Sequence, residues 1–158
     1  MRLLRDDFEM RFAQARSRCA RRDAALDRAA FYLMWQAGLR VGEVEELRLE
    51  DLDFGERKLI VRHGKGNKDR PVYLTDKTLQ ALQGYLAVRG AGATSHVFLY
   101  RNQPVHKDLL RSRVKAAGER LGVDVHPHRL RHTCATQLLN AGCRVTSIQK
   151  LLGHRRLN

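Results

Sequence analysis

Four short groups in the chain carry side chains capable of chemistry: Gly38-Leu39-Arg40, Gly64-Lys65-Gly66, His128-Arg129-Leu130-Arg131 and Leu151-Leu152-Gly153-His154. Each sets a cation or an imidazole beside a glycine or at a helix start, where backbone and side-chain donors stay accessible to an anion. Two arginines, a lysine and two histidines have the composition needed to stabilise a phosphoryl-transfer transition state without metal. Guanidinium forks hold the non-bridging oxygens, and a lysine or histidine supplies a proton to the leaving oxygen. Each group also has an ordinary reading. Arg40 fits a surface arginine after a helix, and Lys65 and Lys68 fit solvated loop charges. His128 and Arg131, three apart on one helix face, fit a surface pair as well as a shared site, and His154 fits a capping histidine.

These groups need elements to position them. Residues 2–22, rich in arginine and alanine, read as a basic helix with a loose end or a linker. Asp23 suits the N-cap of a second helix, with Leu26, Ala30, Leu33, Met34 and Ala37 at helical spacing and Gly38 as its stop. A short helix over Gly42–Arg48 follows. Lys58–His63 and Arg70–Leu74 are strand-like, rich in Val, Ile and Tyr, and the polar glycine-containing stretch 64–69 joins them as a hairpin. Leu47–Phe54 supplies a third strand. From Thr75 the chain reads helical: one helix from the Thr75 cap to Gly90, one from Asp108 to Gly122, one from Pro127 at a first turn to Leu139, and a last over Val145–Leu152. His96–Tyr100 is a short extended piece among them. The fold class is therefore α+β and mainly helical, with a small three-stranded antiparallel sheet that needs a helix layer against one face.

Bulk composition narrows the class. With 158 residues, 43% hydrophobic and 6% aromatic, the chain suits one compact domain with a core that needs neither disulfides nor metal. The 30 Lys+Arg against 17 Asp+Glu leave a formal net charge of +13, which points to a polyanionic partner such as nucleic acid. Cys19, Cys134 and Cys143 lack a framework spacing, so reduced thiols and a cytoplasmic location are expected. No signal peptide is visible, and the uncharged stretch Ala29–Leu39 is too short to span a bilayer, so no membrane association is expected. A metal reading rests on His126, His128, His132 and Cys134, because His128 and His132 have an i, i+4 spacing used by helical zinc ligands. No acidic ligand or Cys-x-x-Cys pair accompanies them, and the expected metal and cofactor complement is none.

Taken together and in order, the four groups resemble the tyrosine recombinases of the phage-integrase family. Ala37-Gly38-Leu39-Arg40-Val41-Gly42-Glu43-Val44 resembles the family's first arginine box, and Gly64-Lys65-Gly66-Asn67-Lys68-Asp69-Arg70 is similar to the hairpin with its catalytic lysine. Pro127-His128-Arg129-Leu130-Arg131-His132-Thr133, with Ala135-Thr136 and Leu138-Leu139, resembles the His-x-x-Arg box. Ile148-Gln149-Lys150-Leu151-Leu152-Gly153-His154 matches the last histidine element. The resemblance spans about residues 23–158, which it implies form the catalytic domain. It implies attack by a tyrosine on a scissile DNA phosphate, a 3′-phosphotyrosyl link, and strand exchange through a Holliday junction, with no cofactor. Arg40 and Arg131 would clamp the phosphate, Lys65 would protonate the leaving 5′-oxygen, His128 would assist proton transfer, and His154 would hydrogen-bond the phosphate. Losing one such preorganised donor typically costs roughly 3–4 kcal/mol of barrier. Glu43 would be structural, orienting the first arginine's helix. Lys68, Arg70 and Arg129 would add DNA contacts. The implied partner is double-stranded DNA at a recombination site, with a tetramer on DNA for a complete parent protein.

The sequence departs from that pattern at one point. The family's nucleophile lies several residues past the last histidine, and here only Arg155, Arg156, Leu157 and Asn158 follow His154. Tyr32, Tyr73, Tyr85 and Tyr100 each belong to another element. The expectation is a catalytic-domain fragment, truncated before its nucleophile, monomeric, and inactive in cleavage by itself. The alternative is a non-catalytic DNA-binding remnant or regulator of a full-length recombinase.

Overall fold

The computed structural model describes residues 1–62 and 68–153. Lys65 and His154 lie outside the described residues. The elements in order are α1 (Arg2–Gln14), α2 (Arg18–Trp35), α3 (Val41–Glu46), a 3-10 turn (Leu49–Asp51), β1 (Leu52–Asp53), β2 (Lys58–Val61), β3 (Arg70–Tyr73), α4 (Asp76–Arg89), β4 (Leu99–Tyr100), β5 (Gln103–Pro104), α5 (Lys107–Leu121), α6 (Pro127–Asn140) and α7 (Val145–Leu152). The architecture is mainly helical with a three-stranded antiparallel sheet in the order β1-β2-β3.

Helix α2 is the axis of the core. Every residue from Ala29 to Trp35 is buried, so the helix is covered all round, and α1, α4, α5 and α6 pack against it. Phe8 of α1 stacks on Phe31 at 4.6 Å between centroids, and Trp35 continues the stack at 5.2 Å. The helix starts earlier than Asp23. Ser17 is the N-cap, its hydroxyl accepting from the Ala20 backbone at 3.1 Å. Asp23 instead lies inside the helix, 3.6 Å from Arg113. The basic leader also divides differently from one helix or linker over residues 1–22. Leu4 and Phe8, four apart, bury one face of α1, and Asp7 beside them is held by Arg120 of α5 at 2.6 Å. A helix with that apolar face and a buried ion pair is part of the core.

The sheet follows the alternation of its side chains. Leu59, Val61 and Val72 point inward, while Pro71 and Tyr73 face solvent. Leu59 pairs with Val72, and Val61 with Arg70. The third strand is only Leu52–Asp53, because Leu49–Asp51 before it turn into a 3-10 helix. A second small hairpin, β4–β5, turns through Arg101 and Asn102 with φ of 52° and 64°. Two consecutive left-handed residues make the tight turn whose twist suits a two-residue hairpin. The caps elsewhere follow the sequence closely. The Thr75 hydroxyl accepts from Thr78 N, Gly122 closes α5 in the left-handed conformation, and Pro127 occupies the first turn of α6. At the start of α5, His106 rather than Asp108 is the N-cap.

Candidate phosphate site at the junction of three helices

The site grows from the loop after α2. Gly38 has φ +70°, and Leu39 N–H reaches back to the Leu33 carbonyl at 3.0 Å, so the chain folds over the helix end and leaves Arg40 as N-cap of α3. The Arg40 backbone N–H donates to Glu43 Oε1 at 2.8 Å, and its Nη1 lies 3.4 Å from Glu43 Oε2. The arginine is thus held at its root by Glu43, and its side chain stays 34% exposed. Burial alone would raise the Glu43 carboxyl, but hydrogen bonds from Arg70 and the Arg40 backbone outweigh it and lower its pKa, keeping it a carboxylate.

Arg131 comes from α6 and lies deeper. Its Nε donates to the Gly38 carbonyl at 2.7 Å, and Nη2 donates to the Leu152 carbonyl at the end of α7. Burial, and then the nearby Arg40 guanidinium, push its pKa down to about 10. An anion seated between two guanidinia across a shared cleft attracts both and offsets their mutual repulsion.

Arg40 stands where two open clefts meet. One, of about 710 Å³, is lined by Arg40, Arg111, Lys115, His126, His128 and Arg131, among others. The other, of about 1260 Å³, continues past Arg48, Arg62, Lys107 and Arg111. Lys107, Arg111 and Lys115 fall four apart on one face of α5, a stripe visible in the sequence but not singled out there. Acidic Glu46, Glu50 and Asp51 line the larger cleft, so its charge is mixed away from Arg40.

The other expected site residues divide. His128 is exposed in the second turn-forming position of α6, its ring parallel to that of His126 with centroids 6.2 Å apart. His126 is itself the N-cap, accepting from Arg129 N at 3.3 Å. Arg129 is exposed and donates to the Asp124 carbonyl at 2.6 Å. Lys68 is exposed but lines a separate cleft between β3 and α7, with Tyr73 and Lys150. Arg70, the remaining expected DNA contact, points into the protein. It is 9% exposed, and its guanidinium is turned inward onto Glu43, at 2.7 and 3.0 Å, and onto the Leu151 carbonyl at 2.8 Å. The cause is chemical: the Glu43 carboxylate is largely buried, with its side chain 11% exposed, and Arg70 is the cation placed to meet it with two bonds.

Among the described residues no tyrosine lines either cleft beside Arg40. Tyr32 and Tyr85 are buried in the core, Tyr73 is on the outer sheet face, and Tyr100 lies against Arg101 and Arg113. Burial, and a 2.8 Å hydrogen bond to Glu9, push the Tyr32 hydroxyl up to about 12. The histidine-rich segment gathers no metal set among the described residues. Cys134 faces the core, 3.7 Å from the Gln36 carbonyl, and burial raises its thiol to about 11. Among the described residues no helix is long and apolar enough to cross a membrane.

Fold and cleft together define a mainly helical domain with an arginine pair, Arg40 and Arg131, on one cleft. The chain belongs to the phage integrase family, whose family model matches residues 3–158. It is 39% identical over 137 residues to tyrosine recombinase XerA of Thermococcus onnurineus (strain NA1), a match covering 84% of this chain and 48% of that protein. It is 35% identical over 141 residues to tyrosine recombinase XerC of Lactobacillus leichmannii, covering 84% and 48%. Among solved structures, a XerA recombinase superposes with a TM-score of 0.79 at 27% identity, over 97% of this chain and 54% of that one. The XerH site-specific recombinase in a post-cleavage complex with a palindromic difH substrate shares the fold, with a TM-score of 0.81 at 21% identity, over 98% and 44%. The chain spans about half the length of the relatives it matches.

Proposed function

We propose that this chain holds the scissile phosphate of double-stranded DNA for site-specific recombination. The carrying observation is the convergence of Arg40 and Arg131 on one cleft, with Arg131 lowered to about 10 by burial and by Arg40. In this reading the two forks bind the non-bridging oxygens and stabilise the pentacoordinate phosphorus. His128, on the same cleft, assists proton transfer to or from the nucleophile. Lys65 protonates the 5′-oxygen as the P–O5′ bond breaks, and His154 donates to the phosphate. A tyrosine oxygen forms the new bond to phosphorus, leaving a 3′-phosphotyrosyl link and a free 5′-hydroxyl. Tyr32, Tyr73, Tyr85 and Tyr100 are buried or lie away from the cleft, so this reading assigns the attacking oxygen to none of them. Lys107, Arg111 and Lys115 on α5, with Lys68 and Arg129, supply further backbone contacts. The chain by itself is a monomer in the cytoplasm, and its complete parent assembles as a tetramer at a recombination site or Holliday junction.

The test is duplex affinity as a function of salt, by fluorescence anisotropy, for the wild-type chain and Arg40→Ala. Each phosphate contact removed flattens the log K against log[salt] slope by about 0.9. A flatter slope and weaker binding are expected for Arg40→Ala. Unchanged slope and affinity overturn the assignment.

A further inference from the structure

Arg70 is the residue on which three segments of the site meet. It opens β3, its guanidinium makes two bonds to Glu43 of α3 at 2.7 and 3.0 Å, and its Nε donates to the Leu151 carbonyl of α7 at 2.8 Å. Both partners of the ion pair are nearly sealed, with side chains 10% and 11% exposed. The last turn of α7 passes directly over this guanidinium. A Cβ added to Gly153 would lie 2.9 Å from Arg70 Nη1, so the absence of a side chain there permits the approach.

Neighbouring contacts connect this knot to both arginines of the cleft. Glu43 receives the Arg40 backbone N–H on the same carboxylate that Arg70 grips. The carbonyl next to Leu151, that of Leu152, is the one Arg131 holds. Two guanidinia thus take successive orphan carbonyls at the end of α7, where the helix dipole favours cations. Moving Arg70 releases Glu43 beneath Arg40 and loosens the helix end on which Arg131 rests. A lysine cannot reproduce this, because a single ammonium cannot present the planar fork to a carboxylate and a third N–H to a carbonyl.

We propose that Arg70 is a positioning residue, a buried strut that acts through Glu43 and the end of α7 to set the phosphate-binding geometry of Arg40 and Arg131, and touches no DNA itself. The proposal rests on the reading of the Arg40–Arg131 cleft as the phosphate site. Two charge tests separate it from a direct electrostatic role. Arg70→Lys keeps the charge, so a mere DNA-facing cation survives the change. Glu43→Gln removes a negative charge from beside the site, so simple electrostatics predicts tighter DNA binding and the strut predicts weaker.

The experiment measures duplex affinity and its salt slope for the wild-type chain, Arg70→Lys, Glu43→Gln, Arg40→Ala and the Arg40→Ala/Arg70→Lys double variant, each checked for folding by thermal melting. One phosphate contact is worth a slope of about 0.9, which at 0.1 M salt is about an eightfold change in affinity. The strut predicts that Arg70→Lys and Glu43→Gln each flatten the slope and weaken binding by up to that factor. The double variant then loses less than the product of the two single losses. If Arg70→Lys fails to fold, Glu43→Gln carries the test by the sign of its effect. Wild-type binding by Arg70→Lys, tighter binding by Glu43→Gln, or independent multiplication in the double variant overturns the strut. An Arg40→Ala variant that binds like the wild type overturns instead the reading of the cleft.

Discussion

Replacing Gly38 with alanine tests the packing behind the site. Gly38 has φ +70°, and an added Cβ would lie 2.3 Å from Leu152 Cδ2 and 3.4 Å from Cys134 Sγ. A left-handed conformation costs a non-glycine residue roughly 1–2 kcal/mol. Forcing Leu152, buried at the end of α7, out of the way adds the overpacking cost of about 1–3 kcal/mol. The total is about 3 kcal/mol, near the middle of those ranges and a large share of the roughly 5–15 kcal/mol stability of a domain. For a chain of this size it lowers the melting temperature by roughly 6–12 °C. Gly42, four residues on, is the internal control. An added Cβ there meets nothing within 4 Å, and the residue lies in the first turn of α3. Gly42→Ala therefore gains about 0.5–1 kcal/mol from reduced unfolded-chain entropy and helix propensity. Circular-dichroism melts of the two variants, with urea titrations to give ΔG, decide the matter. Because the Gly38 and Leu152 carbonyls are both bonded to Arg131, Gly38→Ala also weakens duplex binding. A Gly38→Ala melt within about 2 °C of the wild type, or an equal loss in Gly42→Ala, refutes the reasoning.

Two other predictions concern groups away from the cleft. Burial raises the Asp27 carboxyl to about 6, against the opposing pull of Arg113, whose Nε is 3.2 Å away but out of line for a hydrogen bond. With the folded pKa above the unfolded one, the native state binds the proton more tightly, so the penalty is absent below about pH 4 and complete above about pH 6. Asp27→Asn is then more stable than the wild type at pH 7.5, by up to about 3 kcal/mol. The urea midpoints converge as pH falls to 4, and a gap that stays constant or widens on acidification contradicts the assignment. Cys19 and Cys143 are exposed while Cys134 is buried with its thiol raised to about 11. An aromatic disulfide reagent at pH 8 should therefore titrate two thiols quickly and the third only on unfolding. Fast reaction of all three would show that α6 does not seal Cys134 against the α2 end.

The parts of the molecule legible in the sequence are those written in local chemistry. Thr75, Gly122 and Pro127 mark helix ends by capping and φ preference, and the structure uses each that way. Spacing and resemblance single out Arg40, His128 and Arg131 as candidates, and these three line one cleft. What the sequence concealed depends on distant partners. Arg70 reads as one more cation of a basic hairpin, and only the folded chain brings it to Glu43, 27 positions earlier. Leu4 and Phe8 carry a helix-spaced apolar face, masked by the arginines around them. The β4–β5 turn gives no glycine signal, because Arg101 and Asn102 adopt positive φ themselves. Arg89 is likewise charged yet buried. It ends α4 by donating to the carbonyls of Gly90, Ala91, Thr94, His96 and Val97, a role no periodicity announces.

The most direct measurement follows the arginine side-chain Nε–H resonances of the isotope-labelled chain by NMR while duplex DNA is added. If Arg40 and Arg131 hold the phosphate, their signals shift with the first equivalent of duplex, and Arg89, sealed on backbone carbonyls, stays in place. Unmoved Arg40 and Arg131 signals, with shifts confined to exposed arginines such as Arg57, Arg101 and Arg144, would show that DNA binds elsewhere and that the cleft is not the phosphate site.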